Sequence, residues 1–131
     1  FLRALELSPN QPFVMNYLGY AWAEQGIRLA EANDLIVKAA EQRPRDGYIA
    51  DSLGWVLYQS GNYKRAVPEL ERAVQLRPND ATINDHLGDA YWKVDRKLEA
   101  FFQWNKAKSM KTDAVHLESI NRKLEQGLED N

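Results

Sequence analysis

Asp85, His86 and Asp89 place two carboxylates and an imidazole within five residues, and Asp51 supplies a third carboxylate upstream. On a helix, side chains three or four apart share a face. Such a set is the raw material of a divalent-cation site. It is incomplete for one, and for a nucleophilic triad as well. The chain has no cysteine, and its second histidine, His116, stands apart, read as an exposed residue near the C-terminus. No glycine-rich phosphate loop, nucleophile elbow or His-Glu-x-x-His segment occurs. The polar set is therefore read as solvated groove polarity, with no metal, no cofactor and no catalytic residue; the chain is expected not to be an enzyme. The rings tell more. Tyr17, Tyr20, Trp55, Tyr58 and Trp92 recur through the same regions as the aspartates. Aromatic side chains offer large, rigid contact area and dominate many binding hot spots. Carboxylates beside them favour a partner carrying Lys or Arg, with cation–π contact in addition.

These residues are positioned by a repeat. Gly19, Gly54 and Gly88 lie 35 and 34 residues apart, each directly after a leucine. Ala32, Ala66 and Ala100 recur at 34 and 34; Ala4, Ala39, Ala73 and Ala107 at 35, 34 and 34; Pro9, Pro44 and Pro78 at 35 and 34. A fixed period of this size marks a stacked helix–turn–helix unit. One extra residue falls in the first turn, near Ile27–Leu29. Within each second helix the Ala66, Leu70, Ala73 spacing defines one face, small residues flanking a large one. The bare glycines let a neighbouring helix approach closely. Asp46 and Asp80 stand where N-caps are needed, Pro12 suits a first turn, and Pro44 and Pro78 stop the preceding helices. Pro68 falls inside a helix and should remove one backbone bond.

The order Leu-Gly-x-x-aromatic, turn glycine, Ala-x-x-x-large-x-x-Ala, proline resembles the tetratricopeptide repeat. The second copy is nearly complete: Leu53, Gly54, Trp55, Leu57, Gly61, Tyr63, Ala66, Leu70, Ala73 and Pro78. The third departs from it, with Asp95 for the turn glycine and Thr112 for the terminal proline. The resemblance implies an all-α fold, a right-handed superhelical solenoid of antiparallel helix pairs. It divides the chain into the tail of a truncated preceding repeat (1–8), repeats at 12–46, 47–80 and 81–114, and a capping helix at 115–128, all within one structural domain. In that last helix Leu117, Ile120, Leu124 and Leu128 form the apolar stripe, and Glu118, Arg122, Lys123 and Glu125 are expected to face water.

In stacks of this kind the first helix of each pair lines a concave groove. Counting from the glycines, the expected groove residues are Asn16, Tyr17 and Tyr20, with Phe13 and Glu24; then Tyr48, Asp51, Trp55 and Tyr58, with Ser52 and Gln59; then Asp85, His86, Asp89 and Trp92, with Thr82 and Lys93. The expected function is a protein–protein interaction scaffold or adaptor holding a peptide or helix there. A chaperone-tail ligand is not expected, because Tyr20, Ser52 and Thr82 replace the Asn, Asn and Lys that grip a C-terminal carboxylate. The partner is another protein or peptide with basic and apolar residues. Net charge of −2 and a pI near 5.7 give no attraction to nucleic acid, and no segment inserts in a membrane. Two alternatives stand beside this: a self-assembly module of a larger repeat protein, associating through an N-terminal edge of Phe1, Leu2 and Leu5, or an adaptor for an envelope protease. The second rests on a likeness of residues 51–58 and 16–20 to C-terminal repeats of proteobacterial envelope lipoproteins. That likeness implies the periplasm; the residues fit the cytoplasm as well.

Overall fold

Gly54 has no side chain, and a Cβ there would stand 2.5 Å from Leu70 Cγ on the following helix. Gly88 meets Trp104 Cδ1 at the same 2.5 Å, and Gly19 meets Ile36 at 2.6 Å. Each pair of helices is thus locked by one large second-helix side chain lying on a bare stretch of the first helix. Ile36, Leu70 and Trp104 are all fully buried there. The computed structural model describes residues 11–110 and 112–128; the proposed 1–8 tail and the edge Phe1, Leu2 and Leu5 lie outside them.

Seven helices are present among the described residues: α1 (Pro12–Gln25), α2 (Leu29–Gln42), α3 (Gly47–Gln59), α4 (Tyr63–Leu76), α5 (Ala81–Lys93), α6 (Lys97–Lys108) and α7 (Ala114–Gln126). First helices α1, α3 and α5 stack side by side as an inner layer. Each second helix packs on its own first helix and on the element that follows: α2 on α1 and α3, α4 on α3 and α5, α6 on α5 and α7. This nested packing makes the all-α superhelical solenoid, with the core running continuously between the layers. The second-helix alanines Ala32, Ala39, Ala66, Ala73, Ala100 and Ala107 have no exposed surface.

Local chemistry sets the boundaries. Asp46 accepts from the Tyr48 and Ile49 amides and Asp80 from the Ile83 amide, capping α3 and α5. Asp113 does the same for α7 through the His116 amide. Gly26 ends α1 at φ 70° and Gly61 precedes α4 at φ 82°. The third turn keeps that left-handed geometry without glycine: Asp95 sits at φ 65°. The extra residue of the first turn is absorbed the same way, with Arg28 at φ 48° as the α2 N-cap. Pro68 lies on the exposed face of α4, where the carbonyl it leaves unbonded can be hydrated.

The last helix departs from expectation. Glu118, Arg122 and Glu125 face water, but Lys123 does not. α7 lies on α6, its Ile120 fully buried, and its His116 and Lys123 side chains reach Asp85 and Asp89 of α5. His116, expected to be exposed, is drawn into the same contact.

Candidate interaction groove

The inner layer presents two different surfaces. Over α1, α3 and the start of α5 lies an open groove of about 760 Å³. Its walls include Phe13, Asn16, Tyr17, Tyr20 and Glu24 from α1, Tyr48, Asp51 and Ser52 from α3, and Asp80, Thr82 and Ile83 at the start of α5. Phe13, Tyr17 and Tyr48 are 67%, 62% and 48% exposed, high values for large rings. Asn16 Oδ1 is buried with no hydrogen-bond partner among the described residues, so an acceptor is left vacant in the wall.

Further along, the inner face is closed. Asp85 and Asp89 are each 5% exposed and His86 is 6% exposed. The Lys123 ammonium donates to Asp85 at 2.8 Å and pairs with Asp89 at 3.0 Å. His116 Nε2 lies 2.9 Å from the second Asp85 oxygen, and its Nδ1 lies 2.7 Å from Thr112 Oγ1. Trp104 Nε1 donates to Asp89 at 3.0 Å. Trp92, Leu124 and Leu128 pack against the same buried core, and a Cβ on Gly127 would collide with the Trp92 ring. The acidic surface of repeat three thus already holds a cation, and that cation comes from the chain itself.

Between the two surfaces lies a buried seam. Asp51, in the groove wall, has one carboxylate oxygen 2.8 Å from His86 Nδ1. The Trp55 ring stacks on His86 at 3.8 Å between centroids and on Tyr58 at 4.5 Å. These two rings of the expected ladder therefore support the floor; of that ladder, only Tyr17 and Tyr20 border the opening. Burial opposes a charged imidazole at His86, but the Asp51 carboxylate, with Asp89 and Asp85 behind it, outweighs that and holds its pKa above the ordinary value. Burial, then the charge of Asp85, pushes Asp89 up to about 6 despite Lys123. Burial also opposes a charged Lys123, and Asp89 and Asp85 more than restore it, so its pKa is raised. Burial raises Tyr20, helped by a hydrogen bond to Glu24, and raises Tyr58, helped by Asp89.

Of the residues expected in the groove, the structure brings Asn16, Tyr17, Tyr20, Tyr48 and Asp51 to one opening. It places Trp55, Tyr58 and His86 beneath it, and Asp85, Asp89 and Trp92 under α7. Lys123 was missed. It shares a face with His116 and Ile120 at spacings of +4 and +3, and that pattern was the available signal. No group of three His, Cys, Asp or Glu among the described residues is arranged to hold a metal ion.

Stacked helix pairs with an open inner face define a helical-repeat module of the protein-interaction kind. Residues 54–95 match the family model described as TPR repeat, so this stretch carries the tetratricopeptide repeat. The TPR repeat-containing protein PA4667 of Pseudomonas aeruginosa is 38% identical over 81 residues, which is 62% of this chain and 14% of that protein. Among solved structures, a MamA D159K mutant superposes with a TM-score of 0.66 at 26% identity, over 83% of this chain and 63% of that one. The first TPR of Spaghetti (RPAP3), bound to the HSP90 peptide SRMEEVD, superposes with a TM-score of 0.71 at 17% identity, over 88% and 94%; that likeness is one of fold alone. The chain spans about one seventh of the curated relative and less than two thirds of the MamA structure.

Proposed function

We propose that this segment is an adaptor whose first two repeats hold a peptide or short helix of another protein in the groove between α1, α3 and the start of α5. One observation carries the reading: three largely exposed rings, Phe13, Tyr17 and Tyr48, border a single hollow that also contains Asp51, Asp80 and Glu24. Soluble proteins rarely leave such rings clustered in water without a use. The occupant this lining fits carries apolar side chains for the rings and a Lys or Arg for the carboxylates. A site of this size fits an affinity of roughly micromolar, about −8 kcal/mol. Repeat three takes little part, because α7 lies over its acidic face.

The test is peptide selection from a random displayed library against the full chain, followed by fluorescence polarisation on the selected sequences. Phe13→Ala with Tyr17→Ala should weaken binding by about tenfold or more with the helical circular dichroism unchanged. Leu98→Ala with Phe102→Ala, two exposed apolar residues on α6, should leave it unaltered. Equal affinity in the wild type and the Phe13/Tyr17 variant would remove the groove from the account.

A further inference from the structure

A second hollow, of about 610 Å³, opens on the other side of Tyr48. It lies where the α2–α3 connection meets the end of α4, and its lining holds three guanidinium groups, Arg43, Arg45 and Arg77, against one carboxylate, Asp46. That carboxylate is already committed. One oxygen caps the Tyr48 and Ile49 amides, and the other lies 3.6 Å from Arg43 Nε. Arg45 and Arg77 make no ion pair within 4.0 Å among the described residues. In a chain of net charge −2, this is a local excess of uncompensated positive charge.

Arg77 is held rather than dangling. The Arg77 guanidinium lies 4.1 Å from the Tyr48 ring centroid. Its stem crosses the bare backbone of Gly47, where a Cβ would stand 2.5 Å from Arg77 Cγ. Arg72 donates to the Pro44 carbonyl, and the Asp46 amide donates to the Arg43 carbonyl at 3.2 Å, so the connection carrying Arg45 is tied at two points. One repeat later the same junction reads Arg77, Pro78, Asn79, Asp80, Ala81, Thr82. The second arginine, the glycine and the aromatic are all absent there. The cleft is a departure confined to one junction, not a by-product of the repeat.

A planar guanidinium stacked on an aromatic face, with further guanidinium groups lining the same hollow, matches a carboxylate or phosphate oxyanion. We propose that this cleft is an anion subsite taking a side-chain carboxylate or a phosphate of a polypeptide. Tyr48 walls both hollows, so the anion belongs to the segment lying in the groove, which then has a defined polarity: its cationic residue toward Asp51 and its anionic residue past Tyr48. The polarity rests on the groove reading; the anion subsite does not.

Amide and guanidinium NMR spectra of the ¹⁵N-labelled full chain test it, at fixed ionic strength, against three probes: acetyl-Glu-Glu-amide, a phosphoserine tripeptide and a short single-stranded oligonucleotide. The expected result is saturable shifts at Arg45, Gly47, Tyr48 and Arg77 with one or both peptides. Arg45→Gln with Arg77→Gln should weaken this binding by about tenfold. Gly47→Ala, which keeps every charge but displaces the Arg77 stem, should weaken it too. Arg45→Gln alone, in an exposed connection, guards against a folding defect. Phe13→Ala with Tyr17→Ala should leave the small-anion binding intact, which separates failure of this subsite from failure of the groove. Tighter saturation by phosphoserine assigns a phosphorylated segment and by diglutamate an acidic one; either supports the subsite. Shifts that never saturate, that spread equally to Arg65 and Arg122, or that survive the double substitution overturn it. Tighter oligonucleotide binding at the same amides overturns its assignment to a polypeptide.

Discussion

Replacing Lys123 by Met keeps the buried stem and removes the ammonium that joins α7 to α5. Two carboxylates lose their shared cation, and both have side chains only 7% exposed. Asp85 keeps His116, and Asp89 keeps the Trp104 N–H. The loss can be divided by pH. In the wild type, folding moves Asp89 from an ordinary 3.8 to about 6. At about 1.4 kcal/mol per pH unit, the protein already bears a penalty of about 3 kcal/mol for that group at neutral pH. Without the lowering charge of Lys123 the pKa of Asp89 rises further. Protonation caps the penalty at the distance from 3.8 to ambient pH, about 4 kcal/mol at pH 7. The added cost at Asp89 is therefore at most about 1–2 kcal/mol at pH 7, and close to zero at pH 5, where both proteins largely hold the proton. Losing the charged hydrogen bond at Asp85 costs about 1.5 kcal/mol at either pH. The variant should thus be destabilised by up to about 3 kcal/mol at pH 7 and by about 1.5 kcal/mol at pH 5. Urea unfolding followed by tryptophan fluorescence and by ellipticity measures both values; coincidence of the two probes checks that the stack unfolds as one unit. Adding Asp85→Asn and Asp89→Asn should recover much of the loss, since no buried charge then lacks a partner. A destabilisation equal at the two pH values, or larger at pH 5, refutes the reasoning.

Other expectations follow from the same contacts. Gly54→Ala forces a methyl to 2.5 Å from the buried Leu70; overpacking outweighs the gain in helix propensity, and the urea midpoint should fall by the equivalent of about 1–2 kcal/mol. Asp95→Gly relieves a left-handed residue at φ 65° in an exposed turn and should raise the melting temperature by a few degrees, worth about 0.5–1 kcal/mol. His86 and Asp89 both hold protons more tightly folded than unfolded. That contribution is present at low pH and is lost as pH rises through their folded values, so the melting temperature should decline from pH 5 to pH 8. His86→Gln should flatten that decline.

The repeat was legible because packing repeats with it. Leu-Gly at one position requires a large residue at the matching place on the second helix, and Ile36, Leu70 and Trp104 supply it. Caps at Asp46 and Asp80 were legible because they are local. Asp95 shows the limit of such rules: the turn demands a left-handed residue, and the chain meets that demand without the glycine that would announce it. The groove was legible in part. Spacing placed Tyr17, Tyr20, Tyr48 and Asp51 on one face of their helices, and the structure brings them to one opening. Spacing also placed Asp85, Asp89 and Trp92 on that face, but which element covers a face is a long-range fact. The cation that neutralises those carboxylates comes from position 123, more than thirty residues downstream. Lys123 looks solvent-facing beside the Leu117, Leu124 and Leu128 stripe. Only its register with Ile120 and His116, set against an acidic face still wanting a cation, marks it as buried.

The central claim is a division of the inner surface: repeats one and two open, repeat three closed by α7. Amide chemical-shift mapping of the full chain with a selected groove peptide tests it most directly. Perturbations should gather at residues 13–24, 48–52 and 80–83 and leave 85–92 and 114–128 unmoved. Perturbations centred on Asp85, Asp89 and Lys123, with the α1 tyrosines unchanged, would contradict it.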